Sequence, residues 1–210
     1  MNNHWTKLTH RYPDEKECLA SFIAWQAAEV VAGVKPANLI NILDRELACG
    51  RNMFTLWGKH KVSVLMEGNL RGLDLKWKGD RLLVFIYSPT ALEKILKRTP
   101  VKKALCQLGY DYDNVDEALW HLQKRMQGID FPHEIGFFLG YPVKDVYGFM
   151  GLCDLPVVGN GTWKMYGKLE SSLAVLNQHI AAREIVIDAL CTGKNPLSLI
   201  KKRPDFHQAA

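Results

Sequence analysis

The chain has 210 residues, a hydrophobic fraction of 48% and a formal net charge of +5. This length and apolar content suit one globular domain over residues 1–210, and no apolar run reaches the roughly 18 residues of a membrane-spanning helix. The first residues lack the basic start and apolar middle of a secretory signal, so we expect a cytoplasmic protein.

The five cysteines are isolated from one another, and none forms a CxxC pair. An odd, scattered set argues against a disulfide framework, so we expect mostly buried thiols. Zinc sites and iron–sulfur clusters need several ligands brought together, and we therefore expect no such centre built from these cysteines. They are Cys18, Cys49, Cys106, Cys153 and Cys191.

The first part of the chain predicts two helices around an extended segment. Apolar residues recur at helical spacing after Pro13-Asp14, and Gly33 ends this pattern. Residues 35–42 are typical of an extended segment, and a second helix is predicted from about Asp44 to Met53. We expect the two ends of the chain, residues 1–12 and 203–210, to be flexible.

Residues 62–87 contain three runs typical of β-strands, which are Val62–Met66, Leu73–Trp77 and Leu82–Tyr87. Glycines separate the first two runs, and Lys78-Gly79-Asp80 predicts a tight turn between the second and the third. We therefore predict an antiparallel meander. The third run is apolar on both faces, which favours a central, covered strand.

Helical patterns return at Thr90–Arg98, Pro100–Leu108 and Asn114–Met126, and a long helix is predicted from about Glu170 to Cys191 with Gly193 as its cap. The long helix should bury one apolar stripe, formed by Leu173, Leu176, Ile180, Ile187 and Leu190. The predicted fold class is α+β, a small antiparallel sheet packed with several helices. We expect the helices of 15–32 and 170–191 to pack against the sheet.

The main candidate site lies in Phe131–Phe149, where His133 and Glu134 precede an apolar run bounded by Pro and Gly. Histidine can transfer protons or bind a metal, and glutamate can act as a base. The pattern is not HExxH, because Phe137 stands four residues after His133. An alternative is that the pair only caps the following helix.

A second candidate is Gly159–Gly167, where two glycines around Asn160 predict a turn. If the next residues form a strand, Lys164 and Tyr166 share a face and can bind an anion or the polar edge of a cofactor. The segment matches neither a P-loop nor a dinucleotide fingerprint, and a plain hairpin also explains it. Lys35 is a third candidate, although a lysine after a helix can simply stabilise the helix dipole.

Several of these segments resemble a bacterial family known as domain of unknown function 3793, which is found largely in anaerobes. The most specific is Phe-Pro-His-Glu-Ile-Gly-x-Phe-Leu-Gly-Tyr-Pro, which begins at Phe131, followed by Trp163–Gly167. The other matching segments are Ala32–Leu39, Leu82–Pro89 and Leu108–Tyr110. The resemblance spans nearly the whole chain and implies a shared fold without an assigned reaction.

The resemblance also implies a weak link to redox or iron handling, since genes of this family often neighbour those of flavodoxins and of iron uptake. The chain departs from the family pattern at three positions. Members commonly carry cysteine where this chain has Ala27, Val157 and Ala182. If those cysteines bind a metal or a cluster in other members, this chain has lost that site.

Three functions are compatible with the sequence. The first is an enzyme-like protein that binds a small anionic substrate or cofactor, with His133 or Glu134 transferring a proton. The second is a non-catalytic adaptor whose basic surface docks an acidic redox partner such as a flavodoxin. The third is a nucleic-acid binder, which the mild charge and the lack of a known motif disfavour. The predicted site residues are His133 and Glu134 for catalysis, and Lys35, Tyr141, Asp145, Lys164 and Tyr166 for ligand binding.

Overall fold

The computed structural model of the chain describes residues 8–201. We predicted flexible ends, and of these, residues 1–7 and 203–210 lie outside the described part of the chain. Residues 8–11 are helical, and Tyr12 is buried. The Tyr12 hydroxyl donates to the carbonyls of Leu190 (2.9 Å) and Lys194 (3.0 Å), which connects this segment to the end of the long C-terminal helix.

The elements follow the α+β class predicted from the sequence. The helices are α1 Glu15–Gln26, α2 Ala28–Val31, α3 Met53–Glu67, α4 Pro89–Leu96, α5 Thr99–Gln107, α6 Val115–Met126, α7 Ile135–Phe138, α8 Val143–Phe149, α9 Leu169–Cys191 and α10 Pro196–Lys201. The strands are β1 Ala37–Leu43, β2 Arg71–Lys78, β3 Arg81–Tyr87, β4 Val157–Asn160 and β5 Lys164–Tyr166. None of the helices in residues 8–201 combines the length and the apolar character needed to cross a membrane.

The main sheet has the strand order β1-β3-β2, and all its neighbours are antiparallel. The prediction that Leu82–Tyr87 is central is confirmed, and Gly79, with φ +60°, lies in the two-residue turn before it. The outer strand on the other side of β3 is β1, so the predicted meander over 62–87 was wrong in its first strand.

Val62–Met66 belongs to α3 instead, and the helix predicted over 44–53 is a turn region. The Asn52 side chain accepts hydrogen bonds from the backbone of Phe54 and Thr55, which begins the helix at Met53. From there the buried residues recur at helical spacing, with Met53, Trp57 and Val64 on one face. That periodicity outweighs the β-propensity of a short Val-Ser-Val run.

Helices cover both faces of the main sheet. On one face, α1 and α3 share a core with Ile40, Ile42 and Val84. On the other face, α4 to α8 enclose Phe85, Phe137 and Phe138. This arrangement explains why β3 is apolar on both sides, and it places the α7–α8 segment near the β1 end of the sheet.

Helix α9 mainly contacts α1, α2 and β5 rather than the main sheet, so its predicted packing was wrong. Its buried residues are Ser172, His179, Ala182, Val186, Ala189 and Leu190. Of the predicted stripe, Leu190 is buried, whereas Leu173 and Ile180 are 37% and 46% exposed. The position of its partners, and not its own apolar pattern, decides which face α9 buries. Gly193, with φ +88°, follows its end as predicted.

Candidate functional site

A cavity of ≈ 240 Å³ lies between the α7–α8 segment and the β4–β5 hairpin. Residues 131–149 supply one wall, Thr162, Trp163 and Lys164 supply the opposite wall, and Leu39 of β1 closes the inner side. The cavity therefore forms where the two segments selected from the sequence meet. Four of the predicted site residues line it, namely His133, Tyr141, Asp145 and Lys164.

The inner wall is a stacked pair of aromatic rings. Tyr141 and Trp163 lie with ring centroids 4.5 Å apart and planes inclined by 21°. Each ring therefore covers one face of the other, and together they give this part of the cavity an apolar aromatic lining. The Trp163 indole N–H donates to Asp145 Oδ2 at 2.8 Å, which sets the orientation of the ring.

Asp145 is buried and accepts four hydrogen bonds. Besides Trp163, the donors are Lys144 Nζ (2.7 Å), Ser172 Oγ (2.6 Å) and the backbone N–H of Tyr166 (2.9 Å). Burial raises the pKa of Asp145, but these bonds, with that from Lys144 first, lower the pKa by more. The carboxylate is thus ionised and fully occupied. Its role in the cavity is to hold Trp163 and β5 in place, and not to accept a proton.

The outer wall contains His133, Phe149 and Lys164. The His133 and Phe149 rings meet edge to face at 4.9 Å, and Lys164 Nζ lies 5.9 Å from the Phe149 ring centroid. Phe131 is 5.8 Å from His133 on the other side. All four side chains are exposed, so they lie where the cavity opens to solvent. A ligand entering the cavity would therefore pass a cationic group and an imidazole.

Glu134 does not line the cavity, so the structure separates the predicted His-Glu pair. Its side chain is 5% exposed and lies beside Arg125, with Oε1 3.0 Å from Arg125 Nη1. The same oxygen accepts the hydroxyl of Tyr110 at 3.2 Å. Adjacent side chains diverge at the start of a helix, which directs His133 outward and Glu134 into the core. Glu134 does occupy the N-cap position of α7, as the capping alternative expects, but its side chain makes no cap hydrogen bond to the helix.

Tyr166 also lies outside the cavity wall. Its ring packs on Gly148 of α8, where a Cβ atom would clash with it. Lys164 and Tyr166 do not present one common exposed face, because Tyr166 is buried while Lys164 is exposed, and their joint role in ligand binding stays a prediction. The plain-hairpin alternative does describe the backbone, because β4 and β5 pair antiparallel.

Lys35 lies behind the aromatic wall and does not line the cavity. Its Nζ donates to Asn38 Oδ1 at 2.9 Å and is 5.1 Å from the centroid of the Tyr141 ring. Burial lowers the pKa of Lys35 to about 8 and raises that of Tyr141 to about 12. Lys35 thus supports Tyr141 from the core side rather than contacting a ligand.

Sequence reasoning did not select His179, Phe131, Phe149 or Trp163 as site residues. His179 of α9 is buried, and its ring is 5.9 Å from that of Trp163. Burial, followed by the nearby charge of Lys35, lowers the pKa of His179 to about 4. The density of aromatic residues in 131–149 was a usable signal for Phe131 and Phe149, whereas nothing in the sequence pairs His179 with this wall.

The chemistry available here is that of binding between aromatic walls. Within residues 8–201 there is no group of three or more His, Cys, Asp or Glu side chains arranged to hold a metal ion. The one carboxylate in the cavity wall, Asp145, is already bonded to four donors. A small molecule with a negative charge would find aromatic contacts inside and Lys164 at the opening.

A family model described as "Protein of unknown function (DUF3793)" matches residues 23–200. The matched range includes every residue predicted from the sequence as part of a site. No curated protein and no solved structure matches the chain.

Proposed function

Since the chain belongs to the DUF3793 family, whose function is unknown, we propose a function from the geometry of its cavity alone. The protein binds a small, planar, anionic molecule between the Tyr141–Trp163 pair and the opening formed by His133 and Lys164. The observation that carries this proposal is the meeting of a stacked aromatic wall with an exposed lysine in one cavity of ≈ 240 Å³.

The volume and the wall both limit the ligand. Sites for drug-sized molecules usually span about 300–1,000 Å³, so this cavity suits a molecule of one or two rings. Aromatic walls alone would also suit a cation. However, Lys35 already lies over the Tyr141 ring, and Lys164 would repel a second positive charge. An anion is therefore favoured over a cation.

An adaptor that docks an acidic redox partner draws less support. His133 and Lys164 lie in the wall of the same cavity, which is the arrangement expected of a ligand site.

Saturation-transfer NMR with benzoate, benzamide and benzylammonium tests the proposal, because the three share a ring and differ in charge. We expect benzoate to bind most tightly, and Lys164→Ala to weaken it by about fivefold, the effect of losing an exposed charge pair. Lys168→Ala removes an exposed lysine outside the cavity wall and should leave benzoate binding unchanged.

Thermal unfolding of the same variants separates binding from folding. His133 and Lys164 are exposed, so their replacement by alanine should change stability by no more than about 0.5 kcal/mol. If benzamide and benzylammonium bind as well as benzoate, or if none of the three binds, the proposed anion site is wrong.

A further inference from the structure

Strand β1 is an outer strand of the main sheet, and the hydrogen bonds at its two ends reveal which of its residues face outward. Ser88 N–H donates to the Pro36 carbonyl, and Asp44 N–H donates to the Asp80 carbonyl. In an antiparallel ladder the residues of one strand bond to the partner alternately. The even-numbered residues of β1 therefore bond to β3, and the backbone groups of Ala37, Leu39, Asn41 and Leu43 point away from the sheet.

Among residues 8–201, the outward groups in the middle of β1 have no partner. Within residues 8–201, neither the N–H nor the C=O of Leu39 and Asn41 forms a hydrogen bond, and Asn41 is exposed. The opposite outer strand differs, since β2 is bulged between Asp74 and Lys76 and its Leu75 carbonyl accepts the Gln127 side chain. Bulges and side-chain cover are the usual protection of a sheet edge. Within the described part of the chain, β2 is thus protected and β1 is not covered.

A second cavity, of ≈ 270 Å³, lies along this open edge, and we call it the edge cavity. It is lined by Phe22 and Gln26 of α1, by Met53 at the start of α3 and by Leu43 of β1. Of the described residues in its wall, Arg81 is the one that carries a charge, and it is 3.8 Å from Asp80, with both side chains more than half exposed. A cavity with a mixed polar and apolar lining and one arginine therefore adjoins backbone groups that have no partner within residues 8–201.

We propose that β1 binds an extended, acidic segment of a partner protein by strand addition. The segment pairs with the outward groups of Leu39 and Asn41, places an apolar side chain in the edge cavity and a carboxylate near Arg81. Main-chain bonds give affinity and the pocket gives specificity in this mode of recognition. This site differs from the first cavity, which is lined by Tyr141 and Trp163 and which we call the aromatic cavity. Leu39 lines both cavities.

The shape of the edge favours a single segment over a second copy of this chain. Residues of α1 and the 44–53 turn region stand beside β1 and make the edge concave. An extended peptide fits such a groove, because it needs only about 5 Å beside the strand. The edge of a second folded copy would bring its own covering helices against Phe22 and Met53.

Selection of random heptapeptides displayed on phage, followed by fluorescence anisotropy of the enriched peptides, tests this proposal. We expect enriched sequences in which acidic and apolar residues alternate. The Asn41→Pro variant removes an outward N–H that β3 does not use, and proline is tolerated at such edge positions. It should weaken binding at least about tenfold, while Asn41→Ala, which keeps the N–H, should change it less than about threefold.

Charge variants and hydrogen exchange complete the test. Arg81→Glu should weaken the acidic peptides, and Lys78→Glu, an equal charge change on β2 outside the edge cavity, should not. The amides of Leu39 and Asn41 should exchange quickly in the free protein and slowly with peptide, whereas Ile40 is protected in both. No enriched peptide, equal binding by Asn41→Pro, or a dimer in sedimentation that protects the same amides would each overturn the proposal.

Discussion

Replacement of Glu134 by alanine tests whether the His133-Glu134 pair is one site or two unrelated side chains. The Glu134 side chain is 5% exposed and bonds to Arg125 and Tyr110, away from the aromatic cavity. Burial raises the pKa of Tyr110, so its hydroxyl stays protonated and needs an acceptor. We therefore expect Glu134→Ala to reduce stability and to leave benzoate binding intact.

The structure sets the magnitude of that loss. Removing one member of a buried ion pair costs about 3–5 kcal/mol. Arg125 is 40% exposed and can recover water, which lowers this figure. The buried Tyr110 hydroxyl cannot, and an unsatisfied buried group costs about 1–3 kcal/mol. We expect a total loss of about 2–4 kcal/mol, or a fall of about 5–15 °C in Tm for a chain of this size.

Urea unfolding followed by tryptophan fluorescence measures the loss, and saturation transfer measures benzoate binding. Glu134→Gln keeps an acceptor for Tyr110 and should lose less stability than Glu134→Ala. Glu184→Ala, at an exposed position of α9, is the control for a lost charge. A cost of less than about 1 kcal/mol for Glu134→Ala, or a loss of binding while the protein stays folded, would show that Glu134 is not a structural residue separate from the cavity.

Two further outcomes follow from buried groups near the aromatic wall. As the pH falls from about 6.5 to about 4, the unfolded chain protonates His179 but the folded chain does not, so wild-type stability should fall by about 3 kcal/mol relative to His179→Leu. Equal pH profiles of the two proteins in urea titrations would contradict this. Asp145→Ala should cost about 3–5 kcal/mol, because Lys144 and the Tyr166 amide lose their acceptor. A loss no larger than that of the exposed-site control Asp154→Ala, measured by calorimetry, would show that the four bonds contribute little.

Local signals predicted many elements correctly because they act within a few residues. The Asp14 side chain accepts from the backbone of Lys16 and Glu17 and begins α1, and Asn114 does the same for α6. Gly79 makes the turn into β3, and the apolar run of β3 marks it as the central strand. The α+β class and the family resemblance follow from such patterns, and both agree with the structure and the family match.

The sequence could not predict which strand pairs with the free side of β3. Val62–Met66 and Ala37–Leu43 both have strand-like composition, and the choice depends on α3 continuing from its cap at Asn52. Likewise, α9 carries an apolar stripe at helical spacing, yet its partners α1, α2 and β5 select a different face. Pairing and face selection are contacts between distant segments, which a local pattern does not contain.

The candidate site was also predictable from the sequence only in part. The sequence located the two segments that form the aromatic cavity, because Gly, Pro and polar residues interrupt apolar runs there. Only the tertiary structure separates His133, at the opening, from Glu134, in the core with Arg125. It also places Tyr166 on Gly148 and brings His179 to Trp163. The type of a residue indicates whether its side chain can transfer a proton or bind a ligand. The direction of that side chain depends on the packing of the whole chain.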